Sequence, residues 1–532
     1  MGRSTPMAYA LGAWLVATSG GCGDDDGSAV DAGPRSDAAR DGAAVDGSVP
    51  GDGQAPPPTP PTPPTPPGPP PPPAPDGGLP AAGGTVVPIP DASACGALVA
   101  GDDGSLAWFD ARCRARATRL EGSVARFFDY VAGDEARHCS RGPEYDGFGY
   151  VVSHYRDTAF VEDGSSGSTR WLLRGGDHAI WEADWTIPAS RLGAGDGTMR
   201  IVVHWLASTG RDHPVYAITY DLSGMAPNAY HGDSRSPYGE LGFDGDRDGT
   251  IGGVGWGDRH RFTTLDEPLT KLNGWDYSAP NVVPYAFEWI ADNDAEMGLV
   301  QTQTQQRHAA GGYWFYGAWG TTDPDGPMPE DWNWPYQLNQ YSFAAGSETS
   351  STRLAWGMNY GAVGGSAYAV LGDDPDNPPA GSPSGHPHQS YATFVVLGRH
   401  SDRAVLEHVD AVERMHGVAI TAHAGSVVAS GPGGVGRTDD VAWDPAGWDA
   451  RYGVWRVHAA DGGLDVTFDT GSGEVVSPTV VVEGLGGAPA LVGVEGVSLG
   501  LGSDVRVDVD PAGDAWLTFL ARWRGAIRLV VR

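Results

Sequence analysis

Lysine is nearly absent from this chain. Of its 34 lysines and arginines, Lys271 is the one lysine and the rest are arginine. Schiff-base or P-loop chemistry would rest on that residue, and no Gly-Lys-Ser/Thr motif surrounds it. Positive charge is scarce altogether: 67 Asp and Glu leave a formal net charge of -33. A surface this acidic repels nucleic acid and anionic membrane, so neither is expected as a partner. It suits neutral or cationic ligands, although a local arginine cluster can reverse the sign inside a cleft. Cysteine is sparse, at 4 residues, and zinc-type Cys-His spacing is missing. The apolar run at residues 8–18 falls short of the roughly 20 that cross a bilayer. No Gly-x-Ser-x-Gly elbow, His-Glu-x-x-His helix or dinucleotide fingerprint occurs in a supporting context.

What is plentiful is glycine (79), proline (43) and tryptophan (19). Glycines and prolines punctuating short apolar runs favour an all-β protein. Residues 1–22 read as an export signal, with Arg3 as a short basic start, an apolar stretch, and Ser19-Gly20-Gly21 before Cys22. This resembles a bacterial lipoprotein signal, although Ser19 stands where that pattern prefers an aliphatic residue. The resemblance implies a lipidated, N-terminal Cys22 and a cell-envelope location, at the outer membrane or cell surface, with membrane contact through the lipid anchor only. Residues 23–90 read as a tether rich in Asp, Gly and Pro. Its proline run at 56–75 is extended polyproline II with no core to bury.

The folded part is expected from residue 91. Cys95, Cys113 and Cys139 allow one disulfide and one further thiol in an exported chain. From residue 150, period-two patterns repeat at 150–155, 169–173, 179–187, 200–205, 215–222, 285–291, 297–304, 353–359 and 391–397, among others. Trp181 and Trp185 share one face of their strand while Glu182 and Asp184 share the other. So many strands predict a large two-sheet sandwich over 91–400. Residues 401–416 predict a helical connector, capped by Ser401 and carrying a Val405, Val409, Val412 stripe. Short strands over 417–532 predict a smaller, immunoglobulin-like sandwich. This order resembles secreted carbohydrate-active proteins whose large sandwich is galactose-mutarotase-like, in architecture alone.

Histidine, arginine, carboxylate and tryptophan are densest over 204–319. His204, Arg211 and His213 flank one hairpin turn and, with Tyr220, form a candidate catalytic group. Histidine can move a proton, and arginine can clamp a carboxylate or hydroxyls. Glu240 and Glu288 are the alternative proton-transfer carboxylates, since glycoside hydrolysis needs a pair roughly 5–10 Å apart. Tyr313, Trp314, Tyr316, Trp319, Trp334 and Tyr341 form an aromatic belt with amides interleaved, suited to stacking on sugar rings as well as to core packing. Asp244, Asp246 and Asp248 followed by Gly249 match the first half of a calcium loop. Gly255 stands where the closing Glu of an EF-hand belongs. The resulting expectation is a tethered enzyme that cleaves a polysaccharide, as hydrolase or lyase, with calcium as a structural ion. The alternative is a non-catalytic surface protein that binds glycan or a partner.

Replacing Cys22 with Ser is expected to release the protein into the soluble fraction. A mutant that still sediments with membranes rejects the lipid anchor.

Overall fold

The computed structural model describes residues 78–90, 95–132, 135–139, 148–155, 158–162, 167–192, 196–221, 223–224, 238–242, 251–257, 283, 285–290, 294–302, 353–357, 388–428 and 445–532. The chain is all-β, with several antiparallel sheets and one α-helix of 13 residues among the described residues, and it follows the expected sandwich plan. At its centre lies an antiparallel sheet of eight strands. Its spatial order is Ile251–Gly257, Tyr285–Ile290, Ala295–Gln301, His388–Arg399, Val215–Asp221, Thr198–Ser208, His178–Pro188 and Ser168–Arg174.

The period-two pattern of these strands divides their side chains between two buried faces. Trp181, Trp185, Ile201, Val203, Trp205, Tyr216 and Ile218 bury on one face. A five-stranded sheet, running from Val99–Ala100 to Glu135–Cys139, covers part of it. Trp181 and Trp205 donate their indole N–H to the carbonyls of Gly122 and Ser123, at 2.9 and 3.0 Å, and Phe128 lies 5.8 Å from the Trp205 ring. This five-stranded sheet was not anticipated. The alternation of buried Leu106 and Trp108 with Ser105 and Ala107 is its sequence signature. The one disulfide among the described residues, Cys95–Cys113, ties its second turn to the residues just before its first strand.

The opposite face carries Ile180, Leu206, Val215, Ala217, Tyr285, Phe287, Val300, Phe394 and Val396. It packs on the helix Ala404–His416, through Val405, Val409 and Val412, and on Tyr452, Val454, Val481 and Trp516 of the C-terminal sandwich. That smaller sandwich is two six-stranded sheets closing on their own core, which includes Trp455, Phe468, Leu517, Trp523 and Leu529. Thr85–Pro88, within the stretch read as tether, pairs antiparallel with its strand Ala521–Val531.

The helix starts at Ala404, and Ser401 does not cap it. Arg403 is the N-cap residue, left-handed at φ 52°, and makes no side-chain cap. Glu296 on the central sheet accepts the Val405 N–H at 2.8 Å instead. Ser401 turns away and bonds Asp294. A cap from another element serves because the first helical N–H groups need an acceptor, whatever its place in the chain.

Asp110 organises the turn beneath the five-stranded sheet. It is fully buried, accepts the Arg112 and Arg114 N–H at 2.8 and 2.9 Å, and pairs with Arg114 Nε at 2.7 Å and Arg116 Nη2 at 2.8 Å. Asp110→Asn removes a buried counter-charge shared by Arg114 and Arg116. It is expected to cost about 3 kcal/mol or more, read from the shift in urea midpoint. A loss under about 1 kcal/mol would show that this pair is not holding the turn.

Candidate functional site

A cavity of about 380 Å³ opens where the central sheet, the helix, the Asp110 turn and the C-terminal sandwich meet. Arg211 and His213 reach it from the hairpin turn, His408 and Arg414 from the helix, and Ser477 from the C-terminal sandwich. The turn is built to bring them there. Gly210 has φ +92°, and a side chain on it would meet Leu520 at 2.4 Å, so glycine is required. Arg211 is buried; its guanidinium donates to the carbonyls of Tyr452 at 3.2 Å and Gly453 at 3.0 Å and lies 5.5 Å from the Phe394 ring centroid. Burial pushes its pKa down to about 10, so it stays a cation at neutral pH.

His213 accepts the Leu397 N–H on Nδ1 at 3.3 Å. Its ring meets His408 edge-on at 4.6 Å, and His408 meets Phe394 at 4.4 Å. Burial, then the nearby Arg116, Arg114 and Arg211 cations, push His213 well below the usual imidazole range. Burial likewise depresses His408, followed by His213, Arg211 and Arg414. Both imidazoles are therefore neutral across physiological pH. The buried Nε2 of His408 has no hydrogen-bond partner among the described residues.

His204 is not a wall of this cavity. It faces the C-terminal sandwich, with Nε2 3.0 Å from Glu182 Oε2 and Nδ1 3.0 Å from the Tyr452 hydroxyl. Glu182 in turn accepts from Arg170 at 2.8 Å. The hydrogen bond from His204 is the main reason Glu182 sits below the ordinary carboxylate range. An ionised Glu182 only accepts, so Nε2 carries the proton of that hydrogen bond. Burial raises Tyr452 to about 12, which keeps its hydroxyl protonated. This chain of polar groups ties the central sheet to the C-terminal sandwich.

Of the residues singled out from sequence, the structure thus brings Arg211 and His213 together on one cavity and places His204 on a separate network. Glu288 is fully buried within the central sheet. Tyr220 and Glu240 lie on strands, but their side chains are outside the described residues. Also outside them lie Tyr313, Trp314, Tyr316, Trp319, Trp334 and Tyr341, the carboxylates Asp244, Asp246 and Asp248, and Cys22. Among the described residues, no group of three or more His, Cys, Asp or Glu could hold a metal ion. Sequence reading missed His408, Arg414 and Ser477. His408 was legible: it stands three residues after Val405 and four before Val412, on the flank of the apolar stripe. No protein-family model matches the chain, and a search of curated proteins finds no match.

His416, at the end of the helix, is a third neutral imidazole, 2.6 Å from the Thr302 carbonyl and held by burial to about 4. The unfolded chain protonates it below about 6.5, the folded protein only near 4. In that window the unfolded state binds more protons, so stability is lost as pH falls, by up to about 1.4 kcal/mol per pH unit from this group. Urea unfolding at pH 7, 6 and 5 is expected to show a steeper loss in the wild type than in His416→Gln. Equal slopes would remove His416 as a source of acid sensitivity.

Proposed function

We propose that this is an exported, lipid-anchored carbohydrate-active protein that takes a segment of a polysaccharide into the cavity and cleaves it by hydrolysis or elimination. The observation that supports this reading is the His213–His408 pair. Two imidazoles are held neutral, ring against edge, on a cavity of small-molecule size that also holds a buried arginine. A neutral imidazole is the form that accepts a proton, and His408 Nε2 has no partner among the described residues to compete for it. A strongly depressed imidazole is a weak base, and a negative charge bound beside it would raise its pKa. Elimination uses such a base directly: it removes the proton next to an acidic group while a cation holds that group. Hydrolysis would instead need two carboxylates, and two of the cavity's acids are occupied. Asp212 accepts the Ala111 N–H, and Glu474 is paired with Arg522.

A second reading is binding without cleavage. It is favoured by the use of Arg211 N–H groups and of His213 Nδ1 to hold backbone in place, which fixes a site without freeing it for chemistry. A panel of neutral and acidic polysaccharides separates the two, with new reducing ends reporting any cleavage and absorbance of an unsaturated product reporting elimination. Cleavage is expected, and His408→Gln, folded as judged by its melting profile, is expected to lose about a hundredfold or more in rate. Binding of a glycan with no product would favour the second reading. Neither binding nor cleavage across the panel would reject both.

A further inference from the structure

The cavity is the opposite of the rest of the chain in charge. It is lined by six arginines but only four acids, Asp212, Asp402, Glu407 and Glu474, in a protein of net charge -33. Two of the arginines are already neutralised, Arg114 by Asp110 and Arg522 by Glu474. Among the described residues, Arg112, Arg211, Arg399 and Arg414 make no ion pair. Two of these four are constrained as well as unpaired. Arg211 is buried with only carbonyl oxygens and an aromatic face around its charge. The Nε of Arg414 is buried without a hydrogen-bond partner. Buried cations are ordinarily matched by an acid, because an unmatched one is costly to desolvate.

Ser477 is an independent sign. It lines the same cavity at 7% exposure, and its hydroxyl is buried with no hydrogen-bond partner among the described residues. Its backbone is left-handed, φ 47°, an unfavourable conformation for any residue but glycine. A serine with an unmet hydroxyl and an arginine with an unmet Nε, lining one cavity, fit a shared partner, an acceptor with several oxygens. A carboxylate or a sulfate meets that description, and guanidinium N–H groups match either in pairs.

We infer that the cavity is an oxyanion site, with Arg414, Arg399 and Ser477 as donors, and that the glycan it takes is acidic, carrying a uronate carboxylate or a sulfate ester. The second half rests on the carbohydrate reading above; the oxyanion site does not. Arg211, its guanidinium fixed by two carbonyls, adds positive potential to the cavity it lines.

Calorimetric titration of the whole protein, at constant ionic strength, tests this with four probes: glucuronate, a sulfated monosaccharide, glucose and inorganic sulfate. Saturable binding of glucuronate or the sulfated sugar, with glucose at least tenfold weaker, is expected. The two acidic sugars tell carboxylate from sulfate ester. Arg414→Gln and Ser477→Gly should each weaken binding of the acidic sugar at least tenfold. The glycine variant relieves backbone strain, so its loss would not come from unfolding. Glucose binding as tightly as glucuronate would overturn the oxyanion site and leave the carbohydrate reading standing. Inorganic sulfate binding that both variants weaken, with no sugar bound, would support the oxyanion site and reject the carbohydrate reading. No anion binding, or binding that both variants retain, would overturn the site.

Discussion

Burial of the central sheet on both faces is the constraint from which the rest follows. Antiparallel sheets commonly leave one face to water. Here Trp181, Trp205 and Ile218 lie under one face, and Ile180, Leu206 and Phe394 under the other. A polar side chain on such a sheet must find its partner inside the protein or leave a buried group unpaired. At three places among the described residues that demand is met with partners from other elements. His204 bonds Glu182 and Tyr452. Glu296 bonds His400 and caps the helix. His178 bonds Asp508 and Thr518, both at 2.9 Å. Asp508 also accepts the N–H groups of Gly176, Asp177 and His178, so one carboxylate fixes a whole turn against the C-terminal sandwich.

These polar links also locate the cavity. The helix fills the space between the central sheet and the C-terminal sandwich only along its valine stripe. Beside that stripe His408 and Arg414 take the place of apolar residues, and the turn carrying Arg211 and His213 meets them. Gly453 belongs to the same arrangement: a side chain there would strike the Phe394 ring at 2.4 Å. Only glycine lets the Gly453 carbonyl come close enough to receive Arg211. The cavity is thus a consequence of packing a polar helix flank against a doubly buried sheet.

This explains what sequence could and could not reveal. Strand alternation is local, so 179–187 is found as His178–Pro188, with the tryptophans and carboxylates on opposite faces as expected. The valine stripe is local too, and 401–416 is found as the helix Ala404–His416. Partnership across the chain is not local. The cap on the helix comes from Glu296, 109 positions before the amide it serves. His204, Arg211 and His213 are neighbours in one hairpin, yet Tyr452, 248 positions away, draws His204 into a different network. Only the assembly of layers decides which of two adjacent histidines faces a cavity.

The arginine bias of the composition acquires a physical meaning in this setting. A lysine at position 211 would present a single ammonium, strongly hydrated and poorly matched to two separate carbonyls. The Arg211 guanidinium gives one N–H to Tyr452 and one to Gly453 from two different nitrogens, and lies beside the Phe394 ring. It is also more weakly hydrated, so burying it costs less. Burial lowers its pKa to about 10 and leaves it fully charged, whereas a lysine starts about two units or more lower, so the same burial would leave it only a narrow margin above neutral pH. A positive charge inside an acidic protein is therefore held at this position with a wide margin by arginine and with a narrow one by lysine.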